Sequence, residues 1–444
     1  DGPISDDELV FVSGHPGRTQ RIFTVDALRF LRDHRLPFML DLLRRKEILM
    51  QQFALAGDEA RRRAQDDLFG IQNSRKAYTG MIGGLQDPRI MADKVLRESQ
   101  LLDGVKSAAD GEQWLKAWQD VAKLQEDKRK ILREVTGFRS RMYEIASTLH
   151  LMAIEDAKPS PDRLREFRES DRESLLQELL SDAPIYTDLE IVKLADELAR
   201  LVEQRGGDDP LVAEVLAGLS PQDRAAQLIT GSKLADPAVR KQLADGGAAA
   251  TSASNDPMLE LARTMEATYR TVRTEQERIE EAERQAYAKI ATAKVKVEGT
   301  GTYPDATFTL RLAYGTVKGY DEDGKFVAPW TTMGGAYDHE AAHGGSGDYA
   351  LPASWRDARS RIKADTPLNF VCTADIIGGN SGSPVVNRQG ELVGLIFDGN
   401  IQSLTGDYLY SDVQSRAVAV AGAGIKAAIR DIYKAPQLAD SLGH

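Results

Sequence analysis

Residues 378–386 read Gly-Gly-Asn-Ser-Gly-Ser-Pro-Val-Val. Ser381 sits between small residues, and the chain then runs into an apolar, strand-forming stretch. A hydroxyl presented this way suits acyl transfer through a serine ester, because small neighbours let a carbonyl group approach. Serine attacks only when a base takes its proton and donors stabilise the oxyanion. The backbone N–H groups of Gly379 and Ser381 are the candidate donors. The base is normally a histidine, and six are present.

Two of the six lie in His339-Glu-Ala-Ala-His343, which matches the H-E-x-x-H zinc signature. That signature works only on a helix, where both imidazoles share a face. Gly334-Gly335 precede it and Gly344 to Gly347 contain three more glycines, each costing a helix ~1 kcal/mol. The expectation is a polar surface loop with no metal. His15 falls in a turn, His34 and His150 fall in helical stretches, and His444 is terminal, so each is expected to be structural or exposed. Asp398 has two readings. It is either a turn residue before Gly399-Asn400 or a carboxylate that anchors a cationic group on a substrate. On the second reading, the strand ending Phe397-Asp398-Gly399 runs beside the substrate backbone.

The elements around these residues change character along the chain. Glu8 to Gly14 is a short apolar run ending in the turn signal Gly14-His-Pro-Gly17, and Gln20 to Val25 is its candidate returning strand. From about Ala27 to Val295 apolar residues recur at three- and four-residue spacing, the pattern of helices. Asp256 and Pro257 read as the cap and first turn of a long helix, and small, polar 244–256 reads as a loop before it. No fixed repeat period is present. From about residue 296 the pattern returns to strands, with a turn at Asp321–Gly324 and a hairpin around Arg388-Gln389-Gly390. Gly422 to Ala435 is helical. A serine turn, a strand, a hairpin and a second strand, in that order, are the parts of a chymotrypsin-type nucleophile. The G-x-S-x-G elbow of α/β-hydrolases fails, since residue 383 is Ser and a strand follows.

Composition narrows the partners. A chain of 444 residues suits two or three domains. Its net charge of −11 disfavours nucleic acid, and no apolar run approaches the ~18 residues of a membrane span. Cys372 stands alone, so no disulfide forms within the chain. The opening Asp-Gly-Pro-Ile-Ser has neither Met nor a leader pattern, and the chain is expected to be cut from something longer.

Five segments, Phe11 to Arg21, Ile71 to Leu85, Tyr303 to Tyr320, Leu368 to Asn387 and Gly390 to Asn400, together resemble the bacterial dipeptidyl-peptidase family of dipeptidyl-peptidases seven and eleven. The likeness runs through most of the chain in family order. It implies an α+β multidomain fold: a chymotrypsin-like double β-barrel with a large inserted all-α domain, the first barrel largely missing here. The implied partition is a first-barrel remnant over 1–26, an inserted helical domain over 27–295, and a second barrel with the terminal helix over 296–444. The resemblance makes Ser381 the nucleophile and gives the α-amino group of the peptide to Asn73 and Asp398. Ser74 stands where the family usually has an aromatic residue. Gly399 is placed at the S1 pocket, where glycine goes with apolar P1 residues and arginine with acidic ones. The catalytic His and Asp are implied to lie upstream, so this chain alone is expected to be inactive. A periplasmic homodimer acting on oligopeptides, without a cofactor, is likewise implied. Two other classes stay open: a chymotrypsin-fold endopeptidase, and a non-catalytic helical interaction protein with a degenerate barrel.

Overall fold

The computed structural model describes residues 4–301 and 303–442, so His444 lies outside the described residues. The chain forms two compact units, one comprising Asp1–Pro37, Lys76–Val121 and Ala286–His444, the other Phe38–Arg75 and Ala122–Gln285. These units and the changes of pattern at residues 27 and 296 are different partitions, because three helical stretches share the sheet-bearing unit.

That first unit is built on an antiparallel sheet. Its strands are β1 (Leu9–Gly14), β2 (Arg311–Thr316), β5 (Trp330–Thr332), β6 (Pro367–Cys372), β7 (Pro384–Val386), β8 (Leu392–Gly399) and β9 (Ala417–Ala421), in the order β2-β1-β7-β8-β9-β6-β5. A separate hairpin joins β3 (Tyr320–Glu322) to β4 (Lys325–Val327), turning at Asp323-Gly324, both with positive φ. Alternation sends Val10, Val12, Phe370, Cys372 and the three alanines Ala417, Ala419 and Ala421 into one core. Beyond the end of β2, Val317 bridges Cys372 and Thr373 N–H donates to Thr316 O at 2.9 Å. One edge of β6 is thus shared, Pro367 and Phe370 pairing with β5 and Cys372 with the residue that follows β2. A helical cluster of Trp114, Trp118, Val121, Ile290 and Ala293 with Leu101 and Val105 completes the unit.

The segment that the family resemblance assigned to a first barrel contributes β1 to this sheet, between β2 and the strand that follows Ser381. Gln20 to Val25 is not its returning strand. Thr24 caps a helix over Val25–Phe30, its Oγ1 accepting from Ala27 N–H at 3.3 Å. The partners of β1 come from more than 290 residues later, out of reach of any local pattern.

The second unit is helical around Met142, Ile145, Leu149, Leu194, Leu198 and Leu228, all nearly inaccessible. Its buried carboxylates have partners: Glu155 meets Lys158, Arg270 and Leu164 N–H, and Glu197 accepts from the N–H groups of Arg139 and Ser140. Asp256 does cap the long helix Pro257–Glu298, accepting from Met258 N–H at 3.0 Å. The expected loop over 244–256 is instead mostly the end of a helix, Pro237–Ala253, kinked at Gly247. Ala248 to Ala250 carry the helix past the kink, alanine being the best helix former. Among the described residues no helix is long and apolar enough to cross a membrane.

Candidate active site

Between β6 and β7 the chain makes a tight loop whose amides divide into two sets. Asn380 N–H donates to Ile377 O at 3.0 Å, Gly382 N–H to Ile396 O at 2.7 Å, and Ser383 N–H to Asn380 O at 2.9 Å. Gly379 and Ser381 alternate with them, and their N–H groups have no acceptor among the described residues. Gly379 adopts φ +105°, which favours glycine, and a Cβ there would stand 2.5 Å from His15 O and 2.9 Å from Gly17 N. Ser381 is exposed at the tip, whereas Asn380 is buried against Gly14. The loop is therefore held by its buried half, while exposed Gly379 and Ser381 keep two unspent amide donors beside the Ser381 hydroxyl. Such a pair can receive the oxygen of a tetrahedral intermediate.

Asp398 lies near the end of β8 in the same sheet. Strict alternation after buried Ile396 would turn Asp398 inward. Instead, Ile396 faces Ala419 and Asp398 faces Val418, so Phe397 is an extra residue in a bulge. Phe397 and Asp398 are consequently both exposed. The Asp398 carboxylate accepts from Gly399 N–H at 2.8 Å, and no cation pairs with it among the described residues. At Gly399 an added Cβ would fall on Ser403 Oγ, which donates to Asn400 O at 2.6 Å. Arg416, whose carbonyl adjoins Gly399, is 3% exposed. Its guanidinium is spent on the carbonyls of Lys318, Gly319, Asp412 and Ser415.

Asn73 is exposed on the helix Asp58–Gln86 and belongs to the second unit. The histidines occupy other settings. His15 packs on Phe308, with ring centroids 6.2 Å apart. His34 lies in a π-helical turn, Leu31–Arg35, and His150 meets Glu266 at 2.7 Å.

The H-E-x-x-H segment is a correction. It forms the end of a helix over Met333–Ala342, not a loop. Thr332 caps that helix by accepting from Gly335 N–H, and the N–H groups of Met333 and Gly334 donate to Thr366 O and Ala364 O, so a local cap and two long-range bonds offset the cost of the two glycines. Glu340 accepts from Leu351 N–H at 2.8 Å and from Arg356 at 2.9 Å, which hold its carboxyl below the usual range. His343 stacks on Tyr349. No group of three His, Cys, Asp or Glu side chains among the described residues is arranged to hold a metal.

Sequence reading gave no role to a charged cluster beneath the loop. Arg21 pairs with Asp375, Asp305 accepts from the N–H groups of Arg21 and Ile22, and Asp407 lies beside them. Burial, with the nearby Asp305 charge, pushes the Asp407 carboxyl up to about 6 against the pull of Arg21. Burial likewise lowers Lys94, whose Nζ donates to Arg21 O, to about 8. Nothing short of tertiary contact marks these residues, since Asp305, Asp375 and Asp407 lie far from Arg21 in sequence.

A family model described as Peptidase S46 matches residues 1–444. An Asp/Glu-specific dipeptidyl-peptidase of Shewanella putrefaciens is 26% identical over 93% of this chain and 61% of its own length. Dipeptidyl-peptidase 7 of Phocaeicola vulgatus is 40% identical over 26% of this chain and 17% of its own length. The crystal structure of Porphyromonas endodontalis DPP11 in complex with the dipeptide Arg-Glu superimposes with a TM-score of 0.77 at 19% identity, covering 99% of this chain and 65% of that one. The mixed helical and sheet fold is thus that of the DPP11 structure. The chain spans less than two thirds of the length of these relatives.

Proposed function

Because this chain belongs to the peptidase S46 family, we propose that the full-length protein is a serine dipeptidyl-peptidase in which Ser381 is the nucleophile. The observation that carries this reading is the alternation in the loop: Gly379 and Ser381 N–H groups unspent, Asn380, Gly382 and Ser383 N–H groups bonded. Ser381 Oγ attacks the substrate carbonyl, and the two free amides receive the oxyanion. The base takes the Ser381 proton and returns it to the departing amine, then deprotonates the water that hydrolyses the acyl-enzyme and gives that proton back to Ser381 Oγ. No described histidine hydrogen-bonds Ser381, and the family resemblance assigns the base and its carboxylate to the first barrel. The antiparallel sheet serves as the second barrel of a chymotrypsin-like pair.

Asp398 holds the peptide's free α-amino group, which limits the product to two residues. Phe397 flanks the substrate backbone. The relative matched over 93% of this chain is named Asp/Glu-specific and one matched over 26% is named dipeptidyl-peptidase 7, so the apolar P1 preference rests on Gly399, which the family resemblance places at S1. Gly399 brings no charge and Arg416 is spent inward, which favours an uncharged, apolar P1 side chain. An extracytoplasmic, homodimeric protein is the remaining part of the proposal, and it rests on the family resemblance. The decisive experiment uses the full-length protein: a fluorophosphonate should label Ser381, and Ser381→Ala should abolish both labelling and dipeptide release. Undiminished dipeptide release by Ser381→Ala would refute the assignment.

A further inference from the structure

Two chain segments must be in register for such a reaction. One leads into Ser381 through Asp375 to Gly378. The other leaves Asp398 and Gly399 through the 3-10 turn Ile401–Asp407. A single guanidinium spans them. Arg21 Nη1 and Nη2 donate to the two oxygens of Asp375 at 2.7 and 2.8 Å, and Nε donates to Gly406 O at 2.9 Å. The backbone on either side repeats the link: Gly17 N–H donates to Gly378 O and Gln20 N–H to Asp407 O, each at 2.7 Å. Arg21 is itself held from behind, its N–H on Asp305 Oδ1 at 2.8 Å and its carbonyl taking Lys94 Nζ at 2.5 Å.

We propose that Arg21 is a positioning residue that sets the register between Ser381 and Asp398, with Gly17–Arg21 as a brace across the two segments. The proposal rests on the roles given above to Ser381 and Asp398. The planar fork is what makes it work: three donors in fixed directions reach two segments at once, which a lysine ammonium does not reproduce. The side chains of Arg21 and Asp375 are 25% and 38% exposed, a partly screened pair in bidentate geometry. Its value is geometric. A substrate tethered at its amino end must bring its carbonyl to Ser381, and an error near 1 Å costs a rate on the order of 100-fold.

The test uses the full-length protein with Arg21→Ala and Arg21→Lys, each with Asp398 intact and with Asp398→Ala. With Asp398 intact, both variants should lose roughly tenfold or more in kcat/KM on free-amino dipeptidyl substrates, while the rate of Ser381 labelling by a small fluorophosphonate stays within about twofold. In the Asp398→Ala background the same changes should cost less than about threefold, because no tether remains to be registered. Equal losses in both backgrounds, or labelling that falls in step with turnover, would overturn the proposal in favour of a purely structural role. Amide exchange gives an answer that does not depend on activity. Arg21→Ala should accelerate exchange in residues 374–381 and 401–408 together. If the wild-type protein releases no dipeptides, the functional reading fails; unchanged exchange in both segments would then overturn the brace as well.

Discussion

Asp398 offers the sharpest perturbation, because its charge and its structural hydrogen bond are separable. Its Oδ1 accepts from Gly399 N–H at 2.8 Å. Asp398→Asn keeps an oxygen there and removes only the charge, whereas Asp398→Ala removes both. The carboxylate is exposed and lacks an ion partner among the described residues, so a substrate ammonium meets it without first breaking a salt bridge. A hydrogen bond to a charged group contributes about 1.5–3 kcal/mol. At 1.36 kcal/mol per decade this is roughly 10- to 150-fold in kcat/KM. The assay compares each enzyme on a dipeptidyl-coumarin with a free α-amino group and on its N-acetyl form. Wild type should lose that factor or more on acetylation, since the cation is gone and a blocking group is added. Asp398→Asn should lose it on the free-amino substrate, and acetylation should then change little. An acetylation penalty equal in wild type and Asp398→Ala would show that Asp398 does not read the amino group, and the endopeptidase alternative would gain.

Three further outcomes are expected. Gly399→Arg combined with Ser403→Ala, which clears the Oγ that the new Cβ would strike, should shift P1 preference toward Asp and Glu by an arginine–carboxylate pair; wild type already preferring acidic P1 residues would refute the assignment. Gly379→Ala should suppress labelling and turnover together, because a Cβ at φ +105° would press on His15 O and Gly17 N; full labelling would refute the loop geometry. The Asp407 carboxyl, raised to about 6 by burial, keeps its proton in the folded protein at pH values where the unfolded chain loses it. Its contribution to stability is full below about pH 4 and is lost as pH rises through about 6. Asp407→Asn should therefore match wild type near pH 4 and exceed it at pH 8 by on the order of 2 kcal/mol, measured by chemical denaturation, and an equal difference at both pH values would count against the shift.

Local pattern was enough to find Ser381 and its strand, the hairpin after it, the Asp256 cap and the alternation from strands to helices and back. Each depends on residues within a few positions of one another: a glycine that permits a turn, a proline at a first helical turn, an apolar period. The same locality explains the misreadings. Glycine pairs around His339 and His343 argued against a helix, but Met333 and Gly334 N–H groups donate to Thr366 O and Ala364 O, about thirty residues away. Gln20 to Val25 has the apolar residues of a strand, yet the partners of β1 are β2 and β7. Tertiary structure alone decided how Asp398 comes to face solvent, because the bulge at Phe397 exists only in pairing with β9. It alone joined Arg21 to Asp375 and Gly406, 354 and 385 residues away. Sequence sets which hydrogen bonds and apolar faces a segment must satisfy; only the closed chain determines which distant groups satisfy them.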